Sequence, residues 1–272
     1  MNNNQSICVD IANTLAALAQ HRAEALLVGI CGMQGVGKTT FCRQLAQVLT
    51  DNHGLRVAQL SIDDFYLSHE ERAVLASRVS PLLQTRGVPS THNKALMEEV
   101  LSALKTADAS SIIRLPRFDK ATDNPVPKEQ QPLFVGKPDI ILFEGWCVGA
   151  VPQLSVEVPC NDLERTEDSN GNWRQFVNQQ LYEYQPIFEW IDFLIYITAP
   201  SFEQAKQWRN QQEQDLKQAN SSNPNAHIMI YEELMRFMAH YERLSRHIAA
   251  TMPEYADMVL YADENHAYSI HN

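Results

Sequence analysis

Short apolar runs that alternate with amphipathic segments dominate the pattern of this chain. Five of these runs are predicted to be buried strands, at 25–32, 57–63, 139–145, 193–199 and 258–263. Helical spacing of apolar residues predicts helices at 8–22, 39–49, 94–105, 174–190, 201–216 and 232–249. Apolar strands that alternate with helices are typical of a sheet covered on both faces. The pattern therefore predicts an α/β fold, a three-layer sandwich around a five-stranded, mostly parallel sheet.

The polar stretches between these elements predict the rest of the organisation. Residues 67–135 are polar and rich in proline, so we expect an excursion from the sheet with a single helix in it. Residues 150–175 carry many acids and amides, which favours a surface excursion, and the string at 220–227, NSSNPNAH, is predicted to be a moving loop. His240 and His247 are predicted to lie on the surface. A single domain over residues 1–272 accounts for all of these features.

Composition narrows the classes of partner. The 22 basic and 33 acidic residues give a formal charge of -11, and no basic run of five residues occurs, which disfavours nucleic acid. The start, MNNNQS, does not resemble a signal peptide, and no stretch of eighteen apolar residues predicts a membrane span, so we expect a cytoplasmic protein. Five cysteines without regular spacing predict reduced, mostly buried thiols. Whether the chain is a monomer or a homodimer stays open.

A phosphate-binding string follows the first predicted strand and opens the next helix. Residues 32–39, GMQGVGKT, match G-x-x-x-x-G-K-[ST], in which glycines let the backbone curl so that amides face a nucleotide phosphate. In this pattern Lys38 bridges the β- and γ-phosphates and the Thr39 hydroxyl reaches Mg²⁺. The sequence therefore predicts binding of ATP with Mg²⁺ by Gly32, Gln34, Gly35, Val36, Gly37, Lys38, Thr39 and Thr40.

Carboxylates lie where two predicted strands end. Asp63 and Asp64 close the second strand, at the sheet edge where ligands bind in open α/β folds. A kinase needs a carboxylate that receives the acceptor's proton, and we assign this role to Asp63. Because adjacent strand residues point to opposite faces, Asp64 is expected to serve as a cap or turn residue instead. Glu144 ends the third strand and is the predicted Mg²⁺ ligand beside Thr39.

Several strings together resemble one family. They are GMQGVGKTT (32–40), SIDDFY (61–66), RGVPSTHN (86–93), LPRFDKA (115–121), FEGW (143–146), VNQQLYEYQPIF (177–188) and WRNQQE (208–213). In this order they resemble the ATP-dependent D-glycerate 3-kinase-like proteins. These belong to the P-loop kinases, with uridine kinase, phosphoribulokinase and bacterial-type pantothenate kinase. The resemblance extends over residues 26–262 and implies a P-loop NTPase-type fold with a helical lid at about 209–230.

The resemblance also implies site residues. Asp63 matches the aspartate that serves as the base in related kinases, and Arg209 falls in the lid, where a cation neutralises the transferring phosphoryl group. The acceptor-binding excursion at about 67–135 is implied to bind a small molecule through Tyr66, Arg86, His92, Arg117 and Lys120. If that molecule is glycerate, its carboxylate needs a fixed cation, for which Arg86 and Arg117 are the bidentate candidates and Lys120 a point charge.

Two departures from the family pattern lie in this acceptor region. The family segment commonly ends T-H-D, whereas this chain has Asn93 after His92. After Lys120 the plant and fungal members tend to carry a glycine-rich G-D-R stretch, whereas residues 121–132 are ATDNPVPKEQQP here. Both departures concern the acceptor, so they leave the nucleotide side unchanged.

The sequence supports D-glycerate conversion to 3-phosphoglycerate as the first functional hypothesis. A nucleoside, a pantothenate-like molecule or another sugar acid stays open as the acceptor. A nucleotide-sensing P-loop ATPase is a weaker alternative, and a GTPase is disfavoured because Asn93-Lys94 is followed by Ala95-Leu96, which breaks the guanine-reading N-K-x-D string. A non-catalytic nucleotide-binding module would leave Asp63, Glu144 and Arg209 unexplained.

Overall fold

The computed structural model describes residues 3–219 and 229–270. The loop predicted at 220–227 therefore lies outside the described residues. The described chain forms eight α-helices: α1 (Asn3–Ala19), α2 (Lys38–His53), α3 (His69–Arg78), α4 (Lys94–Lys105), α5 (Asp162–Glu167), α6 (Asn172–Phe188), α7 (Phe202–Ala219) and α8 (Tyr231–Thr251). It also forms ten strands: β1 (Leu26–Gly32), β2 (Val57–Ser61), β3 (Ile112–Arg114), β4 (Phe118–Asp119), β5 (Asn124–Pro125), β6 (Leu133–Val135), β7 (Ile140–Gly145), β8 (Phe193–Thr198), β9 (Met258–Ala262) and β10 (Tyr268–Ile270).

Six strands form the main sheet, in the order β10-β9-β8-β1-β7-β2. The five predicted strands are all present and pair in parallel, which confirms the predicted fold class. The sheet has one more strand than predicted, because β10 adds to the edge antiparallel to β9. Strand β10 was not predicted because it has only three residues and follows a tight turn. The excursion at 67–135 carries α3 and α4 with two small antiparallel strand pairs, β3-β6 and β4-β5.

Two apolar layers cover the two faces of the sheet. Alternate residues of β1 divide between them, since Leu27 and Cys31 join one layer and Leu26, Val28 and Ile30 join the other. Helices α4 and α6 pack in the first layer, whereas α1, α2 and α7 pack in the second, and α8 contributes to both. Four of the five cysteines are buried and all are free thiols, as predicted.

The segment at 150–175 lies mostly at the surface, as predicted, although part of it is buried, whereas the surface location predicted for His240 was wrong. The polar segment at 150–175 contains a buried ion pair between Arg174 and Asp168, whose Nη1 and Oδ2 atoms lie 2.9 Å apart. His240 is also buried, with its ring edge-to-face against Trp173. Arg174 and Asp168 are buried as a pair because buried charges need partners, whereas His240 places only its Nδ1 near a polar atom, 2.9 Å from the Arg236 carbonyl oxygen.

Candidate active site

The phosphate loop takes the conformation that its glycines allow. It joins β1 to α2, and Gly35 and Gly37 have φ angles of +82° and +94°, in the left-handed region that L side chains avoid. A Cβ atom on Gly35 would lie 2.9 Å from the Cβ of Trp208. Gly37 ends the loop as the residue before α2, so the positive end of the α2 dipole faces the loop. This backbone cradle fits the terminal phosphates of a nucleotide.

Lys38 is buried at the start of α2, with 8% of its surface exposed. Its Nζ donates to the carbonyl oxygen of Met33 at 2.9 Å, across the loop. Burial lowers the pKa of Lys38, and the nearby carboxylate of Glu144 opposes that shift. A desolvated ammonium with free donor capacity beside a phosphate cradle is suited to hold an anion.

Thr39 and Glu144 form an oxygen pair beside the loop. The Thr39 Oγ1 donates to Oε1 of Glu144 at 2.9 Å, and Glu144 is buried near the end of β7. Mg²⁺ binds a hydroxyl and one or two carboxylates and retains several waters, so this donor set fits the ion. The structure thus brings the two predicted metal ligands together from residues 105 positions apart.

Asp63 and Asp64 lie in a 3₁₀ turn, Ile62–Phe65, and not in β2 as predicted. Ser61 caps this turn, because its Oγ accepts from the Asp63 amide while Asp64 Oδ2 accepts from the Ser61 amide. The two aspartates are therefore not adjacent strand residues, and the prediction that they point to opposite faces of the sheet was wrong. The capping role expected of Asp64 is confirmed, and Asp63 is left free to face the cleft.

Both carboxylate oxygens of Asp63 accept hydrogen bonds. Tyr66 Oη donates to Oδ1 at 2.7 Å and Lys120 Nζ donates to Oδ2 at 2.6 Å. Burial raises the pKa of Asp63, but the Lys120 ammonium and these two hydrogen bonds outweigh it and lower the pKa to about 2. The pKa of Asp64 shifts in the other direction. Burial raises it to about 6, although the positive charge of Arg117 acts to lower it.

One cleft of about 330 Å³ collects most of the predicted site residues. They are Gln34, Gly35, Gly37, Lys38, Thr39, Thr40, Asp63, Tyr66, Arg86, Lys120, Glu144 and Arg209. Gly32, Val36, His92 and Arg117 are not among its lining residues. Gly32 and Val36 form the underside of the loop, where a Cβ on Gly32 would meet the carbonyl oxygen of Ile197 at 2.6 Å.

His92 and Arg117 lie behind the cleft wall. The His92 ring is buried and stacks on Tyr66 with 4.6 Å between centroids, and its Nδ1 lies 2.9 Å from Tyr184 Oη. Burial lowers the pKa of His92 to about 4, so its imidazole is neutral at pH 7. Arg117 Nη1 donates to Asp64 Oδ2 at 3.2 Å. His92 therefore supports Tyr66, which bonds Asp63, and Arg117 supports Asp64, the next residue in the chain.

Arg86 lines the cleft and is fixed by a carboxylate that the sequence analysis missed. Its Nη1 donates to Asp123 Oδ1, and the same aspartate pairs with Arg72 and His69. Arg72 is fully buried, and both guanidinium groups lie against the ring of Phe118. Asp123 belongs to the stretch at 121–132 that departs from the family pattern, so a carboxylate is present there without the glycine-rich string.

Asn93, the other departure from the family pattern, is the N-cap of α4. Its Oδ1 accepts from the Leu96 amide at 3.0 Å. Asparagine and aspartate cap helices about equally well, so the exchange preserves this structural role.

Arg209 lies in α7 with its guanidinium in an ion pair with Glu213, one helical turn further on. Both side chains are largely buried, at 17% and 7% exposure, so the pair differs from an ordinary surface pair. Glu213 Oε2 also accepts from the backbone amide of Met229, at the start of the segment that leads to α8. Glu213 therefore links Arg209 to the segment that precedes α8.

Aromatic residues complete the cleft. Trp146, Phe237 and Tyr241 line it together with Gln212 and Met229. Trp146 Nε1 donates to the Gly87 carbonyl at 2.9 Å, and its ring lies edge-to-face against Tyr241. Trp146 was ambiguous from the sequence, and the other four residues were not predicted to line the site.

Replacing Gly87 by alanine is expected to destabilise this wall. Gly87 has φ +138°, and an added Cβ would lie 2.0 Å from Tyr241 Oη. Backbone strain and overpacking together should lower the free energy of unfolding by roughly 2–4 kcal/mol, measurable by chemical denaturation. Gly54→Ala is the matched control, because Gly54 has φ +66° with nothing within 4 Å, and should cost only about 1 kcal/mol. Equal losses in the two variants would contradict this account of Gly87.

Several known proteins that are similar to this chain are kinases. No profile of a known protein family matches the chain. The uncharacterized kinase mug58 of Schizosaccharomyces pombe is 34% identical over 230 residues, which cover 79% of this chain and 78% of that protein. The chloroplastic D-glycerate 3-kinase of Arabidopsis thaliana is 28% identical, over 79% of this chain and 46% of that protein. A solved D-glycerate 3-kinase of Cryptococcus neoformans var. grubii has the same fold, with a TM-score of 0.73 and 22% identity over 98% of this chain and 97% of its own.

The fold and the phosphate loop, with the Thr39 and Glu144 oxygens beside it, are those of a P-loop kinase. The chain belongs to the same family of kinases as the Schizosaccharomyces pombe protein and is an ATP-dependent small-molecule kinase that uses ATP with Mg²⁺. Within residues 3–219 and 229–270, no helix combines the length and apolar character of a membrane span.

Proposed function

We propose that this kinase transfers the γ-phosphoryl group of ATP to a hydroxyl of D-glycerate and forms 3-phosphoglycerate. One observation carries the proposal: the Asp63 carboxylate lines the same cleft as Lys38, with the cations Arg86 and Lys120 also in its lining. A base, a phosphate-binding ammonium and a cationic pocket are the groups that transfer to a hydroxy acid requires. The Arabidopsis relative is a D-glycerate 3-kinase, which supports glycerate as the acceptor.

The donor side of the cleft holds the nucleotide in this proposal. The loop amides and the Lys38 ammonium bind the β- and γ-phosphates, and Thr39 and Glu144 hold Mg²⁺. Mg²⁺ supplies charge neutralisation between the phosphates when it is bound. Lys38 acts as a buried point charge, because its low exposure removes competing water.

The acceptor side orients the hydroxyl for in-line transfer. Asp63 accepts the hydroxyl proton, and Tyr66, which donates to Oδ1 of Asp63, holds the carboxylate in place. Arg86 and Lys120 bind the carboxylate of glycerate, with Arg86 oriented by Asp123. Arg117 remains a predicted acceptor ligand whose guanidinium would first have to leave Asp64, and His92 acts through its stack on Tyr66.

Closure over the reactants completes the proposal. The segment at about 209–230, of which residues 220–228 lie outside the described part of the chain, is the proposed lid, and Arg209 contributes its charge to the transferring phosphoryl group. The excursion at about 67–135 is the proposed acceptor-binding part of a single domain. Exclusion of water by the lid would limit hydrolysis of ATP.

A panel of acceptors tests the function. The kinase is incubated with Mg-ATP and D-glycerate, L-glycerate, pantothenate, uridine or gluconate, and ADP release and phosphorylated product are measured for each. We expect the highest kcat/KM with D-glycerate. In Arg86→Gln the KM for D-glycerate should rise at least about tenfold, because a bidentate charged contact is lost, while the KM for ATP stays unchanged. Higher kcat/KM with pantothenate or uridine would overturn glycerate as the acceptor and retain the kinase.

A further inference from the structure

The two hydrogen-bond donors on Asp63 differ in how firmly they are held. Tyr66 is 3% exposed, stacks on His92 and lies edge-to-face against Phe118, so its hydroxyl is fixed on Oδ1. The Lys120 side chain is 59% exposed and reaches Oδ2 from the turn after β4. An exposed ammonium on a flexible stem exchanges partners easily, because solvent screens its ion pair. Oδ2 is therefore the Asp63 oxygen that can be released.

An occupied carboxylate is a poor base. While Lys120 donates to Oδ2 and Tyr66 to Oδ1, both Asp63 oxygens are engaged, and the ammonium stabilises the ionised form. A proton acceptor in this state would accept a proton from water or from an alcohol only weakly. The arrangement thus favours an inactive base in the absence of an acceptor.

We propose that Lys120 keeps Asp63 inactive until an anionic acceptor binds, and that the acceptor's carboxylate then draws the ammonium away from Oδ2. The released Asp63 oxygen meets the acceptor hydroxyl, which arrives with the same molecule. Arg86 lines the same cleft and provides the second cation for that carboxylate. This inference rests on the proposed function in that the acceptor is taken to carry a negative charge.

The arrangement has a consequence for water as a competing acceptor. In hydrolysis the bond that forms joins a water oxygen to the γ-phosphorus, and the bond that breaks joins that phosphorus to the β–γ bridging oxygen. ADP keeps the electron pair of the broken bond, and the water proton passes to Asp63 and then to solvent. Water carries no carboxylate, so it does not displace Lys120, and the base stays occupied. Lys120 thereby suppresses ATP hydrolysis when no acceptor is present.

Lys120→Met tests this role, because it keeps an apolar stem of similar length and removes the ammonium. At saturating Mg-ATP without acceptor, we expect ATP hydrolysis to rise roughly tenfold or more, since a freed base contributes to proton transfer. With D-glycerate present, the KM for the acceptor should rise because one cation is lost. Damage to the fold would lower hydrolysis, so a rise separates this role from a structural one.

Two further variants sharpen the test. Lys128→Met removes an exposed lysine of the same excursion, and its hydrolysis rate should equal that of the unmodified kinase. Adding Asp63→Asn to Lys120→Met should abolish the gain, because the freed base is then missing. Unchanged or lower hydrolysis in Lys120→Met, or a gain that persists in the double variant, would overturn the inference. The hydrolysis assay contains no acceptor, so its outcome is independent of whether D-glycerate proves to be the substrate.

Discussion

Replacing Asp63 by asparagine is expected to lower the rate of phosphoryl transfer by about 10²–10⁴-fold, the contribution of a positioned base. Asparagine has the same shape and still accepts from Tyr66 through its amide oxygen, but it takes no proton from the acceptor. The affinity for Mg-ATP should be retained, because the loop and Lys38 are unchanged. Single-turnover transfer and nucleotide titration measure the two quantities separately.

The neighbouring aspartate provides a matched control. Asp64→Asn should keep transfer within a few-fold of the unmodified kinase, because its side-chain oxygen can still accept from the Ser61 amide. Near-normal transfer in Asp63→Asn, or equal losses in the two variants, would remove Asp63 as the base. Weak nucleotide binding in Asp63→Asn would indicate that the residue supports the phosphate site instead.

Lys38→Met is expected to reduce kcat by about 10²–10³-fold, comparable to the loss of one preorganised donor in other active sites. The ammonium is buried and donates to Met33 across the loop, so its charge acts on the phosphates with little screening. Methionine fills a similar volume, and removing a desolvated charge should leave the thermal midpoint close to its original value. Steady-state kinetics and thermal unfolding of the same preparation give both results.

Lys137→Met is the control for the loss of a lysine elsewhere. Lys137 donates to the Ala23 carbonyl at an exposed position, away from the cleft. It should retain full kcat. A kcat above one tenth of the original in Lys38→Met would mean that the loop amides and Mg²⁺ carry the phosphate charge without this ammonium.

The fold and the nucleotide-binding side of the cleft were predictable because the sequence patterns that indicate them are local. Most parallel strands of the main sheet are largely apolar runs, β2 with its Gln59 and Ser61 being the exception. The phosphate loop is a single string whose glycines and Lys38 have fixed spacing. Strand β10 escaped prediction because three residues of mixed polarity give too little pattern. Glu144 was predictable since it follows an apolar run at the ligand edge of the sheet.

The acceptor side depends on contacts between distant residues. Arg86 and Arg117 are alike as isolated arginines, and only their partners, Asp123 and Asp64, separate a cleft residue from a supporting one. Tyr241 lies four residues after Phe237 on the apolar face of α8, a spacing that buried core residues share. The sequence therefore could not distinguish a cleft wall from a core helix, or assign Asp123 at all.

Asp123 orients Arg86, a proposed acceptor ligand, from a part of the fold that is separate from the nucleotide site. The nucleotide half of the cleft is built on buried strands and the helix that follows the loop, whereas Arg86 is oriented from a surface turn between two-residue strands. Surface turns accept substitution more readily than a covered sheet does. Under the proposed function, laboratory evolution confined to residues 121–125, which leaves Lys120 in place, is expected to redirect the enzyme towards hydroxy acids of other lengths, while its use of ATP is inherited intact.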